Sequence, residues 1–272
     1  MIQFKTINNE VVKPMQTPDD LDKRPPRGKD MIEIAYANIY ACAKKKTGKS
    51  SVVAKMVLKF AGPETRVHIF CSTVHIDPTY RALVNELEDN GIACYPSTSI
   101  KNDENFDLVD DILKEDEEFM NPETVIKPEK NILNLDEKPD KKKKKKKSKF
   151  KELRRIFIFD DLSHEIRTST SLKELLKQNR HYYYKTIIAS QYVNDLEPQS
   201  ISQLDYVFLF KCHNDKKLAE IHSKLDLSLS LPLFIKLYKT CTHDRKRFDF
   251  LYITRLEEFR CNFNKLIILD EE

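Results

Sequence analysis

The chain has 272 residues, 40% of them hydrophobic, so it can bury the core of one large α/β domain or two small ones. The 47 lysine and arginine residues outnumber the 43 acidic ones and leave a net charge of +4. No apolar run approaches the roughly 20 residues that span a bilayer, and the first residues contain no apolar signal core. We therefore expect a soluble protein that is neither secreted nor inserted in a membrane.

The cysteines point to a reducing compartment. There are six of them, without a C-x-x-C pair, which is typical of free thiols. The alternative is a zinc site, although the spacing of the candidate ligands matches no standard pattern. Those ligands would be Cys212, His213, His222, Cys241 and His243.

Predicted strands and helices alternate along most of the chain. Residues 31–42 are rich in β-branched and aromatic residues and predict a first strand. The helix that follows its loop would bury residues at helical spacing, namely Val53, Met56, Val57 and Phe60. A second helix is predicted to open at Asp77-Pro78 and to end at Gly91. Further strands are predicted at 66–72, 92–96, 154–162, 185–191, 204–212 and 250–256, the last as an edge strand. This alternation predicts an α/β fold with a mostly parallel central sheet flanked by helices.

A charged segment interrupts that order. Residues 103–140 contain fourteen acidic residues, and seven consecutive lysines follow at 141–147. The segment has no periodicity that could bury a face, so we expect it to be mostly disordered or loosely helical. The predicted organisation is an N-terminal arm (1–30), a single domain (31–265) interrupted by an insertion at about 101–151, and a C-terminal tail (266–272).

The strongest local motif is AKKKTGKSS at 43–51, between the first strand and the first helix. A phosphate-binding loop (P-loop) needs backbone N–H groups around phosphates, a lysine for the β- and γ-phosphates and a hydroxyl for Mg²⁺. Ala43 stands where the pattern has its first glycine, and an alanine is strained there if the position needs positive φ. The alternative is a lysine-rich surface turn. The predicted ATP-binding residues are Ala43, Lys44, Lys45, Lys46, Thr47, Gly48, Lys49, Ser50 and Ser51.

Polar residues at two later strand ends complete a candidate site. Asp160 and Asp161 follow four apolar residues, at the strand edge where open α/β sheets bind ligands. Asp160, together with Ser50, would hold Mg²⁺, and Asp161 would act as general base. Gln191 ends another apolar strand and could sense the γ-phosphate or orient water. Arg180 could stabilise charge in a neighbouring subunit's site. Structural or solvated roles remain the alternatives for all four strand-end and arginine residues.

The order of these motifs resembles the FtsK–HerA superfamily of ring ATPases, and more closely the poxvirus-type genome-packaging ATPases of large DNA viruses, virophages and related elements. The matching segments are AKKKTGKSS, HIFCSTVHIDPTY, IFIFDDL, NRHYYYKTIIASQYVNDLEPQSISQLDYVFLFK and FRCNFNK. The resemblance implies a RecA-like P-loop NTPase fold of the additional-strand type. It also implies an ATP-driven, homo-oligomeric ring that moves double-stranded DNA into a capsid and contacts capsid or portal-vertex proteins. It places the protein at a viral assembly site in the host cell.

By position in the family, Lys49 and Ser50 match the end of Walker A, and Asp160 and Asp161 match Walker B. Gln191 matches the strand-end polar sensor, and Arg180 matches the proposed arginine finger. Asp161 stands where many members have glutamate, and the charged insertion lies outside the family core.

Basic segments fit a DNA partner. Two basic stretches could contact phosphates without sequence preference. They are the lysine run 141–147 with Lys149, Lys151, Arg154 and Arg155, and HDRKR at 243–247. The run could instead neutralise its acidic neighbour or direct the protein to a nucleus. Two other functions remain open: a partition-type or regulatory P-loop ATPase, suggested by Lys44, and a weakened nucleotide-binding scaffold, suggested by Ala43.

Overall fold

The computed structural model of the protein describes residues 25–120, 153–243 and 248–269. The lysine run 141–147, most of the predicted N-terminal arm and most of the HDRKR segment lie outside the described residues, so the expectations for them stay predictions. The described residues fall within one compact unit, apart from Pro25.

The described residues form one mixed sheet of nine strands. The strands are β1 (Asn38–Cys42), β2 (Arg66–Cys71), β3 (Cys94–Ser97), β4 (Arg155–Asp160), β5 (Tyr184–Ser190), β6 (Tyr206–Phe210), β7 (Phe250–Thr254), β8 (Phe259–Cys261) and β9 (Lys265–Leu266). The helices are α1 (Lys49–Phe60), α2 (Pro78–Asp89), α3 (Leu108–Met120), α4 (Ser163–Thr168), α5 (Thr170–Tyr182), α6 (Pro198–Ile201), α7 (Asp215–Leu225) and α8 (Leu231–Cys241).

The sheet order is β3-β2-β4-β5-β1-β6-β7-β8-β9. The first six strands in that order run parallel, and β7, β8 and β9 add antiparallel pairs. Strand β5 lies between β1 and β4, so the strand before the P-loop and the strand before the acidic pair are not neighbours. This is the additional-strand arrangement, and the predicted fold class is confirmed.

Helices cover both faces of the sheet, which makes three layers. On one face α1 and α2 pack against side chains such as Ile39, Ile69 and Ile158. The other face carries α3, α4, α5, α7 and α8 over side chains such as Tyr40 and Phe157. Because both faces are covered, the parallel strands are apolar on both sides, as continuous apolar runs predict. The predicted buried face of α1 is confirmed, since Val53, Met56, Val57 and Phe60 are all fully buried.

The acidic segment departs from its prediction, because part of it folds onto the core. Helix α3 buries Val109 and Leu113, and these residues recur at helical spacing with the buried Asp116. The apolar periodicity was too short to stand out among so many charges. The expectation of a segment without a buried face is therefore wrong for residues 108–120.

Two strand predictions also need correction. The first strand begins at Asn38, so residues 31–37 are not part of the sheet. Met31 and Ile32 are nevertheless buried, which is why this stretch has a strand-like composition. Strand β7 is not an edge, because β8 pairs along its other side.

None of the helices in the described ranges is both long and apolar enough to cross a membrane.

Candidate functional site

The loop between β1 and α1 is closed by its own hydrogen bonds. The backbone N–H of Ala43 donates to the carbonyl oxygen of Ser190 at 2.9 Å, which ties the start of the loop to the end of β5. The Thr47 hydroxyl donates to the carbonyl of Lys44 at 2.7 Å. Helix α1 then begins at Lys49. Its unpaired N–H groups and its dipole therefore face the concave side of the loop, where they can bind an anion.

Backbone strain in the loop lies elsewhere than the sequence suggested. Gly48 has φ 93° and Lys46 has φ 64°, whereas Ala43 is not in the left-handed region. Ala43 is fully buried, so its methyl group packs in the core. The concern that alanine at this position strains the loop is not supported, and the cost of positive φ falls on Lys46 instead.

Asp160 lies at the carboxyl end of β4, in direct contact with the loop lysine. The Lys49 ammonium forms an ion pair with one Asp160 carboxylate oxygen. The Tyr80 hydroxyl donates a hydrogen bond of 2.7 Å to the other oxygen. Burial, followed by the negative charge of Asp160, raises the pKa of Tyr80 well above its ordinary value, so the hydroxyl keeps its proton. Both oxygens of the carboxylate are therefore held in place.

Sequence reasoning missed Tyr80. The residue lies in the first turn of α2, whose N-cap Asp77 accepts hydrogen bonds from the N–H groups of Thr79 and Tyr80. The Asp77-Pro78 pair predicts a helix start, but a tyrosine in a first helical turn gives no local sign of a partner 80 residues away.

Asp161 and Gln191 meet above the strand ends. Asp161 has φ 57°, a left-handed backbone conformation that turns the chain sharply after β4. Gln191 Nε2 donates to Asp161 Oδ1 at 3.4 Å. The ammonium of Lys217, at the start of α7, donates to the carbonyl oxygen of Gln191 and lies 3.9 Å from the ring centroid of Tyr192. The amide and the second carboxylate predicted from separate strands are thus neighbours.

The loop, Asp160, Asp161 and Gln191 line one open cavity of about 540 Å³, within the usual range for a small-molecule site. Of the predicted nucleotide-binding residues, only Thr47 does not line it, because its side chain is turned back into the loop. The lining residues outside the predicted set are Cys71, Thr73, Asp77, Thr79, Tyr80 and Phe248.

The structure does not bring Arg180 to this cavity. Arg180 lies in the last turn of α5, and its guanidinium pairs with the buried carboxylate of Asp205 at 2.9 Å. Asp205 precedes β6, and its own backbone N–H donates to Asn38 at the start of β1. Arg180 therefore lies at the amino edge of the sheet, opposite the P-loop, with 56% of its side chain exposed.

The donors in the cavity suit one kind of metal ion. Ser50 and Asp160 supply a hydroxyl and a carboxylate to the same cavity. Mg²⁺ typically takes one or two protein oxygens and completes its shell with waters and substrate phosphates. In the parts of the chain that are described, no group of three or more His, Cys, Asp or Glu side chains could hold a metal, and the proposed zinc ligands form no such group.

The fold is similar to that of viral packaging enzymes of known structure. The genome packaging NTPase B204 from Sulfolobus turreted icosahedral virus 2, in complex with AMP, matches with a TM-score of 0.53 at 13% identity, over 86% of this chain and 100% of that chain. B204, the DNA-packaging ATPase from Sulfolobus turreted icosahedral virus, matches with a TM-score of 0.52 at 15% identity, over 83% of this chain and 96% of that one. No protein-family model and no curated protein sequence matches the chain.

At these identities the similarity establishes the fold alone. The chain has the fold of a P-loop NTPase, which agrees with the nine-stranded sheet and its crossover helices. The similarity of that fold to B204 is consistent with the FtsK–HerA resemblance of the motifs.

Proposed function

We propose that this protein is an ATPase that drives double-stranded DNA into a viral capsid. The observation that carries the proposal is the convergence of Lys49, Ser50, Asp160, Asp161 and Gln191 on one cavity at the carboxyl edge of the sheet. Such an arrangement binds the phosphates of a nucleoside triphosphate and places a catalytic general base beside them. The similarity of fold to B204 supports the packaging role.

Each residue has a separate task in this proposal. The P-loop N–H groups surround the phosphates, and Lys49 moves from Asp160 to the β- and γ-phosphate oxygens when nucleotide binds. Ser50 and Asp160 would hold Mg²⁺, which would supply positive charge to the phosphates. Asp161 accepts a proton from the attacking water, and Gln191, already 3.4 Å from Asp161, orients that water.

Motor function requires partners beyond the nucleotide. The proposed partners are double-stranded DNA, further copies of the chain in a ring, and capsid or portal-vertex proteins. Arg180 would act at a neighbouring subunit's site, for which its exposed position on the opposite edge of the sheet leaves it available. Because a translocase contacts phosphates without sequence preference, its DNA binding should weaken steeply with salt.

The test is ATP hydrolysis with and without double-stranded DNA, measured together with oligomer mass. We expect DNA to stimulate turnover and the stimulation to fall steeply as salt rises. Lys49→Ala should lower turnover by about 100-fold or more, because it removes the main cation at the transferred phosphate.

Lys55→Ala is the control. Lys55 is an exposed lysine on the same helix, and the variant should keep wild-type turnover. Unchanged turnover in Lys49→Ala would disprove the P-loop assignment. ATP hydrolysis that does not respond to DNA at any salt concentration would disprove the motor function and favour a regulatory P-loop ATPase.

A further inference from the structure

Phe248 is an exposed aromatic side chain on the wall of the candidate site. It is 59% exposed and belongs to neither of the two apolar clusters in the described part of the chain. A Cβ atom added at Gly48 would lie 2.7 Å from Cβ, Cγ and Cδ1 of Phe248. The ring therefore lies directly against the P-loop, and Gly48 allows this contact in addition to supplying the positive φ.

The sheet order places Phe248 at the end of the cavity away from the acidic residues. Strand β4, which ends at Asp160, and strand β5, which Gln191 follows, lie on one side of β1, and β6 and β7 lie on the other. Phe248 precedes β7, and Phe250 pairs with Phe210 at the carboxyl end of β6. Asp160 and Gln191 thus line the cavity from one side of β1, and the ring of Phe248 lines it from the other side.

This polarity matches the two ends of a nucleotide. The phosphates belong with Lys49 and Asp160, and a flat, weakly polar base belongs against an aromatic face. Core packing does not explain the ring, because more than half of it is exposed to solvent. Its cationic neighbour, Lys211, has its ammonium 5.5 Å from the ring centroid, on the β6 side.

We propose that Phe248 stacks on the base of the bound nucleotide and thereby selects nucleotides over inorganic polyphosphate. The inference rests on the proposed ATPase function and adds the residue that recognises the base. Every base offers a π-face, so stacking favours nucleotides in general without selecting one base by hydrogen bonding.

The first experiment compares a ligand that carries a base with a ligand that consists of phosphates alone. Isothermal titration of the full-length protein with ADP and with inorganic tripolyphosphate, both with Mg²⁺, would be repeated on Phe248→Ala. Aromatic stacking on a base corresponds to about 5- to 150-fold in affinity. We therefore expect ADP affinity to fall by at least about fivefold, while tripolyphosphate affinity stays within about twofold of wild type.

Phe248→Leu is the matched variant. It keeps an apolar side chain against Gly48 but lacks a ring face, so it should lower the affinity for ADP as Phe248→Ala does. Equal losses for ADP and tripolyphosphate, or unchanged ADP affinity in Phe248→Ala, would overturn the proposal and leave the P-loop assignment intact. Wild-type protein that binds neither ligand would overturn the proposed function itself, and this inference with it.

A fluorescence measurement provides a second readout, because the chain contains no tryptophan. Phe248→Trp creates a single reporter that ADP should quench and tripolyphosphate should not. Leu256→Trp is the control: Leu256 is 92% exposed and follows the opposite end of β7. Equal responses of the two reporters to ADP would contradict stacking at position 248.

Discussion

The backbone conformation of Asp161 is one that aspartate adopts more readily than most residues. Its φ of 57° lies in the left-handed region, which aspartate and asparagine tolerate better than most residues. The aspartate therefore suits the turn after β4. In our proposal the residue has two roles, to form this turn and to act as general base.

Asp161→Asn separates those two roles. Asparagine accepts the same backbone conformation but cannot take a proton from water. We expect nucleotide affinity within about threefold of wild type and turnover reduced by about 10²–10⁴-fold, the usual contribution of a general base. Titration calorimetry and single-turnover hydrolysis would measure the two effects. If nucleotide binding itself is lost, Asp161 has a binding role and the assignment as base is wrong.

At the scale of elements, α3 is fixed to the sheet by one buried charge cluster. The Asp116 carboxylate accepts hydrogen bonds from Arg155 Nε at 2.7 Å and Nη2 at 2.6 Å. It also accepts one from the Tyr184 hydroxyl and pairs with Arg154. Burial on its own would raise the pKa of Asp116, but these hydrogen bonds and positive charges lower it below its ordinary value. The part of the acidic segment that forms α3 is thus packed on the core. Arg155 is buried in this cluster, so the expectation that it contacts DNA phosphates is wrong.

Asp116→Ala should destabilise the protein by about 3–5 kcal/mol, because it leaves the buried Arg155 without its main partner. Urea unfolding at pH 7 measures the loss. Since the folded-state pKa of Asp116 is lowered, the wild-type advantage is present at neutral pH and disappears as the pH falls through that lowered pKa.

Glu118→Ala is the control on the same helix. Glu118 is exposed, so the substitution should change stability by no more than about 0.5 kcal/mol. Equal stabilities of the two variants would mean that α3 does not depend on the Asp116 cluster.

At the scale of the whole molecule, the position of Arg180 bears on assembly. The nucleotide cavity of the same subunit lies at the other edge of the sheet. Arg180 can therefore take part in catalysis only at the site of a different subunit. Within the subunit it neutralises Asp205, whose carboxylate also accepts from the backbone N–H of Asn38 at 2.9 Å. Arg180 thus has a structural partner in one chain and an exposed surface for another.

Mixing inactive variants tests action between subunits. Arg180→Ala protein retains its own P-loop, and a Lys49→Ala neighbour can supply the missing arginine. In a head-to-tail ring we expect an equal mixture to recover up to about a quarter of wild-type turnover. Lys49→Ala mixed with Asp161→Asn is the control, because both residues belong to the same subunit's site. Every site in this mixture lacks one of the two residues, so no turnover should be recovered. No recovery at any ratio would confine Arg180 to its pairing with Asp205.

Local sequence determined the parts of this protein whose signals are short. The apolar strands, the buried stripe of α1 and the P-loop could be predicted, because period, composition and a left-handed glycine act within a few residues. The strand-end positions of Asp160 and Gln191 follow from the same signals, since parallel strands share one carboxyl edge.

Tertiary structure decided the rest, because the deciding contacts join distant segments. Tyr80 and Asp160 are 80 residues apart in the chain, and Phe248 and Gly48 are further apart still. The position of β5 between β1 and β4 depends on which strands pair. The ion pair of Arg180 with Asp205 depends on that strand pairing as well. The packing of α3 depends on the buried Asp116, although the charge of an aspartate predicts an exposed side chain. In each case the side chain's environment, and hence its energy, is set by partners that no local pattern identifies.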